Sequence, residues 1–425
     1  MPEPGAPAAV LVTAAPPAGL PAGVPAGGAE GHERDAAVSR AVRRAREEVR
    51  PALREWTALL GPELATLCGY QMGLCDADGL PIADPAPGAG GAGGRTPAPG
   101  PGAGAGAAPG AASSGKLVRP ALALASAAAV GAKPEVALPG AVATELVHNF
   151  SLLHDDVMDG DRVRRHRPSA WVRFGTPLTI LAGDGLLALA FEVLSSQPAP
   201  GPADLTADLS VALRRLCLGQ GQDLLAAARR GPAGAAGETG QGTEREPGRA
   251  AEPAATEADL DACLRMLEAK TGALLGFACR AGAAYAGAPP AALEAFERFG
   301  SRLGLAFQLQ DDLLGIWGRP ADTGKPARSD LRERKRSAPV VAALASGTPA
   351  GRRLAALYAR PEPLTEDEIP YAATLVEEAG GRERTLAEAR RRQEEAWRSL
   401  SELGPPLVDP AGLREVVDSL TGRSS

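Results

Sequence analysis

Residues 140–161, GAVATELVHNFSLLHDDVMDGD, read as a long, mostly apolar helix that ends in a knot of carboxylates. Such a helix has to be buried along most of its length. Yet Asp155, Asp156 and Asp159 crowd its C-terminal end, where the helix dipole disfavours negative charge. Asp155 and Asp159 are four residues apart and share one helical face. Acids so placed repel one another unless cations intervene, and a donor set of oxygens alone favours magnesium. The plainer alternative is a solvated charge run. Against it, the preceding FSLLH is too apolar for an exposed face, and a calcium-loop pattern of alternate acids with a later Glu is missing.

A buried helix of this kind needs other helices to cover it. Outside the low-complexity stretches Ala, Leu, Arg and Glu dominate, aromatics make up 4%, and almost nothing alternates with period two over a strand's length. The prediction is an all-α, single-domain bundle of about ten to twelve helices around a central cavity. Residues 1–34, about 84–114 and about 231–257 are rich in Gly, Pro and Ala without periodicity. They read as a flexible N-terminal segment and two flexible inserts within one domain, 35–425. Neither insert is taken as a domain boundary, because pieces of one site lie on both sides.

The balance of charge narrows the partners. With 45 Lys and Arg against 51 Asp and Glu, a net charge of -6, nothing points to nucleic acid. The five cysteines are scattered without a CxxC pair, so neither a disulfide framework nor a structural zinc site is indicated and buried free thiols are expected. No early basic region precedes the proline-broken N-terminus, and no uninterrupted apolar run reaches bilayer length, so a cytoplasmic protein without a membrane span is expected.

A second acidic helix end, FQLQDDLLG with Asp311 and Asp312, makes sense if it faces the first across one cavity. About three Mg²⁺ ions between them would clamp a diphosphate. The cations such a ligand needs are present: Arg164 and Arg165 after the first acidic motif, Lys116 and Arg119 in GKLVRP, Lys270 in EAKTG, and Lys325 and Lys335 in TGKPARSDLRERKR. Each alone is more commonly a surface cation. Their joint placement around two acidic helix ends carries the information.

GKLVRP, ELVHNFSLLHDDVMDGDRVRRH, GQGQDL, EAKTGAL, FQLQDDLLG and TGKPARSDLRERKRS stand in the order and approximate spacing of the trans-isoprenyl diphosphate synthases, the polyprenyl synthetase family. The chain resembles that family from about residue 35 to its end, the inserts excepted. The resemblance implies magnesium ligands at Asp155, Asp159 and Asp311, with Asp156 and Asp312 in support. It implies allylic diphosphate contacts from Arg164, Lys270, Thr271, Gln308 and Lys325. Lys116, Arg119, His148 and Arg165 would form the isopentenyl diphosphate pocket. In that family the allylic C–O bond ionises, the isopentenyl double bond attacks, and a proton is lost. A homodimer is expected from the resemblance alone.

Two departures from the family pattern stand out: Leu117 replaces a frequent Arg, and Gly315 replaces the last Asp of the second motif. A terpene cyclase would need a hydroxyl residue at Gly315 and an acid at Arg319, and a head-to-head synthase has no need of the Lys116 and Arg119 motif. A regulatory subunit without activity commonly lacks one Asp-rich motif, whereas both are present. Phe150, about 7.5 Å of helical rise before Asp155, is expected to floor the product cavity with Ser151 beside it. One aromatic next to a small residue points to geranylgeranyl diphosphate, with farnesyl diphosphate second and longer chains third.

Overall fold

In the computed structural model the described residues are 40–82, 117–165, 167–228, 255–320, 326–403 and 407–421. They all belong to one compact unit, Val38–Ser425. The segments 1–34 and 84–114, residues 231–254, Lys116 and Lys325 lie outside the described residues.

Helix α1 (Arg40–Ala58) buries Val42, Ala45, Val49 and Leu53, one face of an amphipathic helix, and α2 is Pro62–Met72. Helix α3 (Val118–Val130) is built of small residues, and α4 (Leu138–Asp159) is the acid-tipped apolar helix. A short hairpin follows, β1 (Val163–Arg164) antiparallel to β2 (Arg167–Pro168). Then come α5 (Ala170–Phe174), α6 (Thr176–Ser196), α7 (Leu205–Ala228), α8 (Glu257–Leu267), α9 (Ala273–Tyr285) and α10 (Pro290–Trp317). The C-terminal part holds α11 (Ser329–Arg332), α12 (Ala338–Leu344), α13 (Pro349–Ala359), α14 (Glu368–Glu378), α15 (Gly381–Ser401) and α16 (Ala411–Thr421). The fold is all-α, with sixteen α-helices among the described residues rather than ten to twelve. The surplus arises largely from short helices such as α5 and α11, which are too brief to show a period in sequence.

Small residues set how closely these helices approach. A Cβ on Gly282 of α9 would fall 2.0 Å from the carbonyl oxygen of Ala123 on α3, and one on Gly300 of α10 would fall 2.3 Å from that of Leu275 on α9. The main core, with Leu122, Leu146, Leu153, Leu186, Phe296 and Phe299 at its centre, therefore forms around tightly packed α3, α4, α9 and α10. A second apolar cluster joins Ile316, Leu331, Val340, Leu354 and Leu375 beneath the end of α10.

Two helical stretches, Pro134–Asp159 and Thr176–Ser196, are long and apolar enough to cross a membrane by length and composition. Neither is an uninterrupted apolar run: single polar residues such as Glu145 and Asp184 break each one without lowering its average much. The window in the first stretch is 67% buried in the protein core, whereas that in α6 is only 44% buried. The thiols of Cys68, Cys263 and Cys279 are buried as expected, but Cys75 is half-buried and Cys217 is exposed on α7.

Candidate active site

The C-terminal end of α4 carries Asp155, half-buried, and Asp159, exposed, on one face. Burial pushes the Asp155 carboxyl up to about 6; Lys270 and Arg164 pull against that, while Asp159 and Asp156 add to it. Asp159 is raised as well, by burial first and by Asp161 and Asp223, with Lys270 and Lys335 opposing. Carboxylates held at such a cost without a cation match a divalent metal's demand for negative oxygen donors. Among the described residues no three acids converge on a single preformed ion cage.

Asp156 is placed differently from its neighbours. It is 1% exposed and accepts both oxygens' worth of bonding from Arg164, whose Nε donates to Oδ1 at 2.7 Å and to Oδ2 at 2.8 Å. Burial raises Asp156, and Arg164 offsets part of that. The hairpin makes this pair: it turns through Arg165, at φ 51, and folds Arg164 back over the helix it has just left. Asp156 and Arg164, expected as a supporting metal ligand and a diphosphate contact, are thus bound to each other in this structure.

Lys270 and Thr271 come from an irregularity. Residues Glu268–Gly272 form a π-helical turn between α8 and α9, where the sequence predicts one unbroken helix. Such turns re-aim side chains at functional sites. Lys270 Nζ donates to Asp223 Oδ2 of α7 at 2.7 Å, and Thr271 Oγ1 donates to Gln308 Oε1 of α10 at 2.9 Å. Lys270 therefore stands between the acids of α4 and the end of α10. It lines a cavity shared with Asp223, Gln308, Asp312, Lys335 and Arg336.

On α10, Asp311 is half-buried and close enough to Arg119 to influence its charge, whereas Asp312 is 2% exposed and engaged. Asp312 Oδ2 accepts from the Ala338 backbone N–H at 2.9 Å, and Oδ1 accepts from Gln308 Nε2 at 3.2 Å. It caps the start of α12 and so orders the segment that carries Lys335. Burial alone would lower Lys335, but Asp312, Asp330, Asp223 and Glu333 around it raise it. Asp312, expected beside the metal, serves the protein's own N–H groups.

A third group lies one to two turns below the acids. Arg119 and Arg165 are both lowered by burial and both raised in turn by Glu145, itself 5% exposed and raised by burial. Asn149 Nδ2 donates to Glu145 Oε1 at 3.0 Å. Burial, then Arg119, Arg165 and Arg164, drive His148 well below the usual histidine range, so it is neutral. The buried Nε of Arg119 and Oδ1 of Asn149 have no protein partner. Such atoms suit a polar ligand. Leu117 takes a left-handed conformation, φ 48, at the entry to α3.

Phe150 is 9% exposed in the core, its ring edge-on to His154 at a centroid distance of 4.7 Å. His154 lies over Gly183 of α6, where a Cβ would meet Nε2 at 2.4 Å. Ser151 lies four residues before Asp155 and so shares its face. Its hydroxyl donates to the His148 carbonyl at 2.8 Å. Asp223, Glu145, Asn149 and Asp330 were not singled out from sequence. All four sit inside the motifs quoted above, Asp223 in GQGQDL, Glu145 and Asn149 in ELVHNF and Asp330 in RSDLRERKRS, but their roles show only in the contacts they make.

Acids at the tip of α4 and in the last two turns of α10, flanked by lysine and arginine, form a site suited to an anionic ligand held with metal. The polyprenyl synthetase family model matches residues 110–376. The chain is 37% identical over 384 residues to a (2E,6E)-farnesyl diphosphate synthase of Mycobacterium tuberculosis, covering 90% of this chain and 92% of that one. It is 40% identical over 339 residues to a geranylgeranyl diphosphate synthase of the same organism, covering 80% and 81%. The crystal structure of a polyprenyl synthetase from Streptomyces coelicolor A3(2) superposes with a TM-score of 0.72 at 39% identity, over 90% of this chain and 99% of that one. The chain belongs to the polyprenyl synthetase family. It is a prenyltransferase that lengthens prenyl chains head to tail.

Proposed function

We propose that the protein condenses isopentenyl diphosphate with an allylic diphosphate in a Mg²⁺-dependent reaction and releases geranylgeranyl diphosphate. The observation that carries this reading is the position of Lys270, which faces Asp155 and Asp159 on one side and shares a cavity with Gln308 and Asp312 on the other. Asp155, Asp159 and Asp311 would hold the metal. Bound Mg²⁺ would neutralise charge on the departing diphosphate.

The chain's own residues account for the rest. Lys270, Lys335 and Lys325 offer charge to the allylic diphosphate as its C–O bond breaks and the electron pair leaves with oxygen. Arg119, Arg165, Lys116 and the neutral His148 hold isopentenyl diphosphate so that its double bond faces the developing cation. The Thr271 hydroxyl, fixed by its bond to Gln308, turns lone-pair density toward that cation. The proton lost from the new allylic unit passes to the released diphosphate.

For product length, the small Ser151 under Asp155 supports room for a twenty-carbon chain, and farnesyl diphosphate is the second reading. Both products are named among the relatives. Supplying isopentenyl diphosphate and Mg²⁺ with five-, ten- and fifteen-carbon allylic starters, and sizing the products by mass spectrometry, tests the reaction and its length together. Twenty-carbon product from all three starters supports the proposal. A fifteen-carbon end point replaces it with the farnesyl reading, and no diphosphate release at all sinks both. A homodimer through α6 and α7 is part of the same proposal, supported by the exposed Leu178, Leu181, Val211 and Leu218.

A further inference from the structure

Gly315 stands one turn after Asp311 on the same face of α10, where the second acidic motif would otherwise end in a carboxylate. The space beside it is already filled. A Cβ on Gly315 would fall 2.5 Å from Cγ of Asp330 and 2.5 and 2.6 Å from its two carboxylate oxygens. Asp330 belongs to α11 and is 8% exposed. Its carbonyl accepts from the Lys335 backbone N–H at 2.7 Å, which ties it to the lysine of the site. A side chain at 315 and the Asp330 carboxylate cannot occupy that volume together.

We infer that Asp330 supplies, from the neighbouring helix, the carboxylate that the second acidic motif lacks at position 315, and completes the metal-facing acid set with Asp311. Glycine at 315 is then the condition for Asp330's position rather than a lost ligand. The inference rests on the metal-dependent reading above, and it assigns Asp330 a charge role beside the diphosphate clamp.

The test is Mn²⁺ binding to the full chain in the presence of inorganic diphosphate, followed by electron paramagnetic resonance, with Tm recorded for every variant. Asp330→Asn keeps the shape and removes the charge, and is expected to weaken Mn²⁺ binding by about tenfold or more. Asp330→Gly is expected to weaken it similarly, and the exchanged pair Gly315→Asp with Asp330→Gly to restore it to within about threefold of the parent. Restoration by exchange is what a merely structural Asp330 would not give. Parent-like Mn²⁺ binding in Asp330→Asn at parent Tm overturns the inference, as does a folded exchange pair that stays weak. A parent protein that binds no Mn²⁺ with diphosphate present removes the metal-dependent reading itself, and this inference with it.

Discussion

Asp155 shows how much a single residue costs the metal-free protein. Its folded pKa of about 6 lies above the 3.8 of an unperturbed aspartate. Between those values the folded state binds more protons than the unfolded state, so stability falls as pH rises through that window. The full penalty is present above pH 6, up to about 3 kcal/mol before solvent screening. Asp155→Asn is therefore expected to raise the Tm of the metal-free protein at pH 7 by about 2–4 °C for each kcal/mol relieved, and to flatten the loss of Tm between pH 4 and 6. The same change should lower turnover at least about a hundredfold, because the lost charge acts on the transition state. A melting curve that moves down at neutral pH would contradict the account of burial. Ser151 carries a second residue-scale prediction: Ser151→Phe puts a ring one turn under Asp155 and should shorten the main product by one isoprene unit while turnover persists. Unchanged product sizes would place the floor elsewhere. Spacing alone made Asp155 and Asp159 legible as a pair. It did not reveal that Asp156 is taken by Arg164 and Asp312 by the Ala338 N–H, because both partners arrive from outside the helix concerned.

At the scale of elements, the π turn at Glu268–Gly272 is the part that sequence could not supply. EAKTG fits the apolar period of a continuous helix, and the change in pitch is stabilised by what packs against it. Gly304 of α10 has Gly272 Cα 2.7 Å from where its own Cβ would be, and a Cβ on Gly219 of α7 would lie 2.5 Å from the Lys270 backbone nitrogen. Gly219→Ala pushes directly on that backbone. It should cost about 1–3 kcal/mol as an overpacked contact and lower kcat by moving Lys270 away from Asp223 and the acids of α4. Gly221, two residues on, has nothing within 4 Å of an added Cβ. Gly221→Ala should instead stabilise the helix by about 0.5–1 kcal/mol. Denaturant unfolding of the two variants separates them by sign, and equal effects would show that proximity to Lys270 is not what position 219 is for.

At the scale of the whole molecule, helical composition and the want of period-two alternation were sufficient for the all-α architecture, since each apolar stripe needs helical neighbours. They were insufficient for how much of each stripe is covered within one chain. On α7, Val211, Leu218 and Leu225 recur every seven residues and are 45%, 57% and 62% exposed, and α6 adds Leu178 and Leu181. A seven-residue repeat of apolar side chains keeps one line along a helix and suits a facing helix. Exposed apolar surface spread over two adjacent helices exceeds what isolated surface leucines require. A second copy presenting the same two helices would bury it symmetrically, as a two-fold contact does. The parent protein is then expected to run as a dimer by size exclusion with light scattering. Leu181→Glu combined with Leu218→Glu should give a monomer, because each protomer would place two negative charges, four in all, at a contact that has to be dry at its centre. Circular dichroism unchanged from the parent would show that the monomer still folds. A dimer that survives both substitutions would move the contact to another face and leave the apolar repeat on α7 to some other purpose.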